Sequence, residues 1–128
     1  MKFDVDKLAD SIEKACPQAV FALLHGSAKD GVVNDGSDVD IAVFVAGKPS
    51  FDIYRQVYDA VDSAGIDAEA DVGILNNAEP VYRFESLKGR LLFSRDTEKY
   101  LDFFSLTCRE YECQMADYQR QLEYTRSA

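Results

Sequence analysis

The chain has few residues suited to transition-metal binding: one histidine and three cysteines among 128 residues. Cys16, Cys108 and Cys113 are an odd number with no C-x-x-C spacing, so the usual zinc-site spacings are missing. Free thiols are typical of a reducing compartment, and the N-terminal residues lack the basic and apolar segments of a secretory signal. We therefore expect a cytoplasmic protein without a zinc centre.

Basic residues and long apolar runs are also scarce. Lys and Arg number 14 against 23 Asp and Glu, which gives a net charge of −9. Such a chain repels nucleic acid and anionic membranes, so neither is expected as a partner, and a DNA-binding autoregulator is disfavoured. The longest apolar runs, residues 19–24 and 41–46, are too short to cross a bilayer. The 8 Phe and 7 Tyr, with many aliphatic residues, still supply the core of one folded domain.

Helical and strand patterns alternate along the chain, which predicts an α/β or α+β fold. Asp4 or Asp6 is expected to cap the first helix, and Ser50 the second. We expect a single domain over residues 1–128, with a core of about 5–95. The predicted helices are 4–15, 50–64, 81–87 and 97–125, and the predicted strands are 19–25, 38–45, 71–75 and 90–93.

Two helices carry apolar faces that predict contacts. In the second helix, Phe51, Tyr54, Val57 and Val61 share one face. In the last helix, seven apolar residues alternate at spacings of three and four, and we call them the C-terminal stripe. The stripe comprises Leu101, Phe104, Cys108, Tyr111, Met115, Tyr118 and Leu122.

Two interpretations of the C-terminal stripe stay open: packing on the protein's own core, or a partner interface. The predicted helix spans about 40 Å at 1.5 Å per residue, longer than a small domain is wide. We therefore expect its distal half, from Met115 onward, to project and pack on another chain. That chain is either a different protein or a second copy of this one.

The strongest functional pattern joins the end of the first strand to the start of the second. Gly26-Ser27 follows the first strand, and nine residues later Ser37-Asp38-Val39-Asp40 opens the next. Gly26 lets the backbone approach a ligand closely. Ser27 is expected to cap a short helix whose free N–H groups favour phosphate.

Asp38 and Asp40 lie two residues apart on a strand, so their carboxylates project from one face. Like charges that close raise each other's pKa, and a cation between them relieves the repulsion. Carboxylate oxygens together with substrate phosphates suit Mg²⁺. The pattern therefore predicts a metal-phosphate site.

A third carboxylate at a neighbouring strand end would allow metal-assisted phosphoryl or nucleotidyl transfer and supply a base for an attacking hydroxyl. Asp71 is the first choice because it opens the third strand, and Asp67 and Glu69 are alternatives. For His25, we expect a strand-end side chain with a satisfied hydrogen bond, with nucleotide contact or proton transfer as the alternative.

The Gly26-Ser27 and Ser37-Asp38-x-Asp40 pair resembles the signature of the polymerase-beta-like nucleotidyltransferases. The short chain is similar to the minimal nucleotidyltransferases, the antitoxin-type partners of HEPN toxins. The resemblance covers about residues 5–95. It implies the polymerase-beta-like fold, a small mixed sheet flanked by helices, with Mg²⁺ as cofactor and ATP as nucleotide donor.

The resemblance also implies roles and a reaction. Asp38, Asp40 and Asp71 would be the catalytic metal ligands, with Asp71 as the base. The reaction implied is transfer of AMP to a tyrosine of a cognate HEPN toxin, which is silenced in a complex with this chain. The implied nucleotide-binding residues are Gly26, Ser27, Lys29 and Ser37.

The chain departs from the family pattern directly after Gly-Ser. The family often has arginines where Ala28 and Asp30 stand, and Lys29 is the single nearby cation. This departure motivates the alternative of an antitoxin that acts by binding alone. A further alternative is nucleotidyl transfer to a small molecule such as an aminoglycoside.

Overall fold

The computed structural model describes residues 1–127, which form four α-helices, four strands and one 3₁₀ turn. Each of the eight predicted elements is present, with bounds within two residues of those predicted. The helices are α1 (Val5–Ala15), α2 (Phe51–Ser63), α3 (Pro80–Leu87) and α4 (Thr97–Ser127), the strands are β1 (Ala19–His25), β2 (Val39–Val45), β3 (Ala70–Ile74) and β4 (Arg90–Ser94), and the 3₁₀ turn is Gly26–Ala28.

The helix starts follow local capping chemistry in part. The Asp4 carboxylate accepts hydrogen bonds from the backbone N–H groups of Asp6 and Lys7, at 3.0 and 3.2 Å, as predicted for α1. Ser50 is the N-cap residue of α2, as predicted, but its side chain makes no capping hydrogen bond. No helix within residues 1–127 is long and apolar enough to span a membrane.

The four strands form one mixed sheet in the order β3-β2-β1-β4. Strand β1 pairs antiparallel with β2 and β4, whereas β2 and β3 are parallel. The C-terminal end of β1 therefore lies beside the N-terminal ends of β2 and β3. This arrangement confirms the mixed sheet with flanking helices, and it brings three separate chain segments to one edge.

Two apolar layers enclose the sheet. Helices α1 and α2 cover one face, where Val39, Ile41 and Val43 of β2 are buried. Helices α3 and α4 cover the other face, where Ala42 and Phe44 pack. The alternation along β2 is therefore as predicted, and it assigns Asp40 to the α3/α4 face.

The predicted inner face of α2 is partly wrong. Phe51 is 90% exposed, and the buried residues are Ile53, Val57, Ala60 and Val61. These residues are spaced at i, i+4, i+7 and i+8, which is an apolar stripe next to the predicted one. Tertiary packing selected between two adjacent stripes that the periodicity alone does not separate.

The C-terminal stripe mostly faces away from the core. Helix α4 instead buries Phe103 and Thr107, while Tyr111 stacks on Phe84 with ring centroids 3.9 Å apart. The contacts of α3 lie on the first half of α4, and most of residues 115–126 are exposed. The hypothesis that the whole C-terminal stripe packs on the protein's own core is therefore wrong. Exposed members of the stripe are Leu101, Phe104, Tyr118 and Leu122.

Arg95 ties the junction of β4 and α4 to the end of α1. Its guanidinium donates hydrogen bonds to the backbone carbonyls of Glu13, Cys16, Pro17 and Ala19. Carbonyls at a helix C-terminus have no intrahelical partner, and one planar guanidinium group can donate hydrogen bonds to several of them. Arg95 therefore holds α1 against the start of β1.

Arg95→Met is expected to lower the free energy of unfolding by about 1–3 kcal/mol, because it removes this fork and leaves carbonyls unpaired. Urea unfolding followed by circular dichroism measures the change. Arg55→Met is the matched control, since Arg55 makes exposed ion pairs with Asp52 and Asp59 on α2. Equal losses in the two variants would contradict this role of Arg95.

Candidate active site

Three side chains form a row across the sheet at its open edge. In the strand register, His25 of β1 lies opposite Asp40 of β2, and Asp40 lies opposite Asp71 of β3. Directly paired residues project from the same face, so all three point to the α3/α4 side. The structure thus brings together the predicted Asp40 and Asp71, and it adds His25 to the row, which we call the site row.

The two halves of the sequence motif meet at Gly26. Gly26 has φ of +73°, and a Cβ atom there would overlap the Asp40 carboxylate, with Asp40 Cγ 3.2 Å away. The backbone of the 3₁₀ turn therefore lies directly against the Asp40 side chain. This contact is the close backbone approach that the sequence predicted for Gly26.

Ser27 does not cap a helix. It lies inside the 3₁₀ turn Gly26–Ala28, which is preceded by His25 and makes no side-chain capping bond. The prediction of a helix with Ser27 as its cap is therefore wrong, because the helical segment is three residues long. Ser27 is exposed beside Gly26, as is Lys29 one residue past the turn.

Asp38 stands just before β2 and is exposed. Together with Ser37, Asp67 and Glu69 it lines a surface cleft of about 360 Å³. The alternative carboxylates Asp67 and Glu69 therefore accompany Asp38, whereas Asp71 is the carboxylate in register with Asp40. The strand register thus places Asp71, the first choice from the sequence, beside Asp40.

The carboxylates of Asp71 and Asp38 lie close enough to repel that of Asp40. Burial raises the pKa of Asp40, the nearby His25 opposes that shift, and the charges of Asp71 and Asp38 add to it. Among residues 1–127, the ion pairs involve none of these three carboxylates. Asp71 and Asp38 are therefore close enough to disfavour the charge of Asp40, and no Lys or Arg of residues 1–127 forms an ion pair with any of the three.

His25 is held from two sides. A Cβ at Gly89 would lie 2.8 Å from the His25 Cα, so the backbone before β4 lies directly against His25. The Tyr82 ring contacts the imidazole edge-on, with ring centroids 5.6 Å apart. Burial lowers the pKa of His25, while Asp40, Asp71 and Glu85 act in the opposite sense. Its Nε2 is buried without a hydrogen-bond partner within the described residues, so the expected satisfied hydrogen bond is absent at that atom.

Sequence reasoning missed Gly73 and Tyr82. A Cβ at Gly73 would lie 2.7 Å from Tyr82 Cζ, so the glycine in β3 admits the tyrosine ring over the sheet. A glycine inside a strand pattern often marks such a close approach, and this was the available signal. Tyr82 therefore packs against the site row on the α3/α4 face of the sheet, in contact with His25.

Three basic residues elsewhere in the sequence, Arg83, Lys88 and Arg90, are candidates to replace the missing arginines, and the structure engages Arg83 in other contacts. Its guanidinium donates to the carbonyls of Leu75 and Asn76, at 3.0 and 2.5 Å, and pairs with Glu110 at 3.8 Å. These contacts join the end of β3 to α4, so Arg83 is structural. Lys29 remains the cation nearest to the Gly26–Ala28 turn along the chain.

A mixed sheet with a glycine turn against paired strand-end carboxylates is the architecture of a nucleotidyltransferase. Residues 6–98 match the family described as "Polymerase beta, Nucleotidyltransferase". The chain belongs to this family, and α4 extends past the matched segment.

Solved structures share the fold. A chain of a mutant MntA–HepT toxin–antitoxin complex has a TM-score of 0.77 at 21% identity, covering 95% of this chain and 98% of that one. A toxin–antitoxin structure with AMP-PNP gives 0.74 at 22% identity, covering 95% and 98%. A complex of tri-AMPylated Shewanella oneidensis HEPN toxin with MNT antitoxin gives 0.70 at 18% identity, covering 94% of each chain. No curated protein is significantly similar in sequence.

Proposed function

We propose that residues 1–128 act as one cytoplasmic nucleotidyltransferase domain that transfers AMP from ATP to a tyrosine of a cognate HEPN-type toxin. The observation that carries the proposal is the contact of the Gly26 backbone with Asp40, with Asp71 in register beside it. The similar structures support the acceptor, since they are toxin–antitoxin complexes and one holds a tri-AMPylated HEPN toxin.

Each predicted site residue receives a role in this proposal. Gly26 and Ser27 approach the triphosphate with backbone N–H groups and a hydroxyl, and Ser37 and Lys29 add a donor and a positive charge. Asp38 and Asp40 would hold the metal ion. Asp71, on the far side of Asp40 from β1, completes the carboxylate set and faces the acceptor.

The donor set fits Mg²⁺ as a partial site. Within residues 1–127, no three His, Cys, Asp or Glu side chains already converge tightly enough to hold a metal ion among themselves. Mg²⁺ commonly takes one or two carboxylates and completes its shell with phosphate oxygens and water. The unneutralised Asp38, Asp40 and Asp71 suit that arrangement, and the bound ion would neutralise charge on the triphosphate.

The transfer step follows from these positions. The acceptor hydroxyl gives its proton to Asp71 as its oxygen bonds to the α-phosphorus of ATP. The bond from that phosphorus to the bridging oxygen breaks, and pyrophosphate leaves. Gly26 and Ser27 keep the triphosphate in place, so that the acceptor oxygen approaches opposite the leaving group.

An antitoxin that acts by binding alone is the second candidate, and one observation favours it. Lys29 is the cation nearest to the Gly26–Ala28 turn along the sequence, and Arg83 is engaged by backbone carbonyls and Glu110. Weak triphosphate binding would follow from this shortage.

Incubation of the pure protein with its partner toxin and ATP labelled on the α-phosphate separates the candidates. Label on a toxin tyrosine supports the proposed transfer. Toxin neutralisation without label supports binding alone, and label on an aminoglycoside hydroxyl would indicate the small-molecule alternative. Protein label that appears with γ-labelled ATP alone would make the protein a kinase and overturn the proposal.

The distal half of α4 is the proposed partner surface. Tyr118 and Tyr124 are 58% and 80% exposed, and Leu122 shares their half of the helix. Exposed tyrosine and leucine on a projecting helix suit a protein interface. Light scattering of the isolated chain tests whether the same surface also joins two copies.

Leu122→Glu is expected to weaken toxin binding at least about tenfold, because it places a charge in an apolar contact. Calorimetric titration of toxin into each variant measures the change. Arg120→Glu is the control, since Arg120 lies two residues away and pairs with Asp117 within the exposed helix. Unchanged affinity for Leu122→Glu would exclude this half of α4 from the interface.

A further inference from the structure

We infer that Tyr82 is a positioning residue, whose hydroxyl donates a hydrogen bond to the Asp71 carboxylate once the reactants are bound and so fixes it for proton transfer. The inference rests on the proposed nucleotidyl transfer and adds a residue to it. It assigns a purpose to Gly73 and Tyr82, which belong neither to the Gly26-Ser27 motif nor to the carboxylate set.

A gap in the sheet surface places the Tyr82 ring. One step deeper than the site row, the paired residues of β2 and β3 are Ala42 and Gly73. Neither has a side chain that rises above the sheet, and the tip of Tyr82 occupies the space where a Gly73 side chain would lie. The His25 ring closes the other side of this space through its edge-on contact with Tyr82. The hydroxyl is therefore held in one place by packing.

The Tyr82 hydroxyl lies over Gly73, on the face of β3 that Asp71 shares. Asp71 and Gly73 lie two residues apart on β3, so they share a face and their Cα atoms are about 6.6 Å apart. Burial raises the pKa of Tyr82, the charges of Asp71 and Asp40 add to the rise, and a side-chain hydrogen bond with Ser86 opposes it. A phenol hydroxyl carries one proton that a neighbouring carboxylate can accept in a hydrogen bond.

Asp71 needs such a partner. It is exposed at the start of the edge strand β3, and no ion pair or hydrogen bond to its side chain is present among residues 1–127. A carboxylate that takes a proton in the transfer step works best when one oxygen is already oriented toward the acceptor. The fixed Tyr82 hydroxyl supplies that orientation, since catalytic hydrogen bonds commonly tighten when the reactants are bound.

Tyr82→Phe tests this inference because it keeps the ring and removes the hydroxyl. With α-labelled ATP and the partner toxin, we expect kcat to fall about tenfold, the usual scale for one hydrogen bond to a charged group. The KM for ATP, calorimetric Mg–ATP affinity and the melting temperature should stay unchanged. Tyr100→Phe is the matched control: Tyr100 is also half-buried on this face, edge-on to Phe21 at 5.1 Å.

A double-mutant cycle separates positioning from packing. If Tyr82 acts through Asp71, adding Tyr82→Phe to Asp71→Asn should slow transfer no further. A wild-type kcat in Tyr82→Phe, a matching loss in Tyr100→Phe, a rise in the KM for ATP or an additive loss in the double variant would each overturn the inference while leaving nucleotidyl transfer intact. Absence of label transfer by the unmodified chain would overturn both.

Discussion

Asp40→Asn is expected to lower kcat for AMP transfer by about a hundredfold or more, because a metal ligand contributes several kcal/mol to the transition state. Asp40 is the residue at which the Gly26 turn, Asp38 and Asp71 converge, so its charge has no substitute. The labelled-ATP assay measures the loss. Asp59→Asn on the exposed side of α2 serves as the control and should leave transfer unchanged.

The same substitution should not destabilise the fold, and at neutral pH we expect the melting temperature to stay level or rise. Burial and the neighbouring carboxylates raise the folded-state pKa of Asp40 above its ordinary value of 3.8. An acid with a raised folded-state pKa loses stability as pH rises from the unfolded toward the folded pKa, and that loss persists above it. Asparagine removes this penalty.

Melting curves at about pH 4 and pH 7 test the sign, since the stability of Asp40→Asn relative to wild type should increase with pH. Activity lost together with a lower melting temperature at pH 7 would mean that Asp40 holds the fold together. That outcome would contradict its place in an unneutralised carboxylate cluster.

Gly26→Ala should weaken Mg–ATP binding and transfer by about tenfold or more, because its Cβ would displace the Asp40 carboxylate from the metal position. Gly36→Ala is a matched control. Both glycines have positive φ, +73° and +79°, so both substitutions carry a similar backbone strain of about 1–2 kcal/mol. A Cβ at Gly36 meets nothing within 4 Å.

Calorimetry of Mg–ATP binding and urea unfolding of both variants separate these effects. We expect similar losses of stability in the two variants and a loss of nucleotide binding in Gly26→Ala alone. Equal binding by both would show that the contact of Gly26 with Asp40 does not shape the nucleotide site.

The sequence predicted the elements well because their signals are local. Apolar alternation along β2 assigned Asp40 and Ile41 to opposite faces, and the Asp4 cap marked the start of α1. Features that depend on neighbours were harder to predict. The periodicity of α2 did not exclude Phe51 from the core, and a three-residue turn stood where Ser27 was expected to cap a helix.

The amino-acid sequence by itself determined the order of helices and strands, the family, and the pairing of a glycine turn with two carboxylates, since these depend on spacing along the chain. The tertiary structure decided which atoms meet: Asp71 is in register with Asp40, Tyr82 enters the gap at Gly73, and Phe103 and Thr107 of α4, rather than the C-terminal stripe, are buried. Strand register and helix packing on the sheet fix these relations, because they join residues that no local pattern connects.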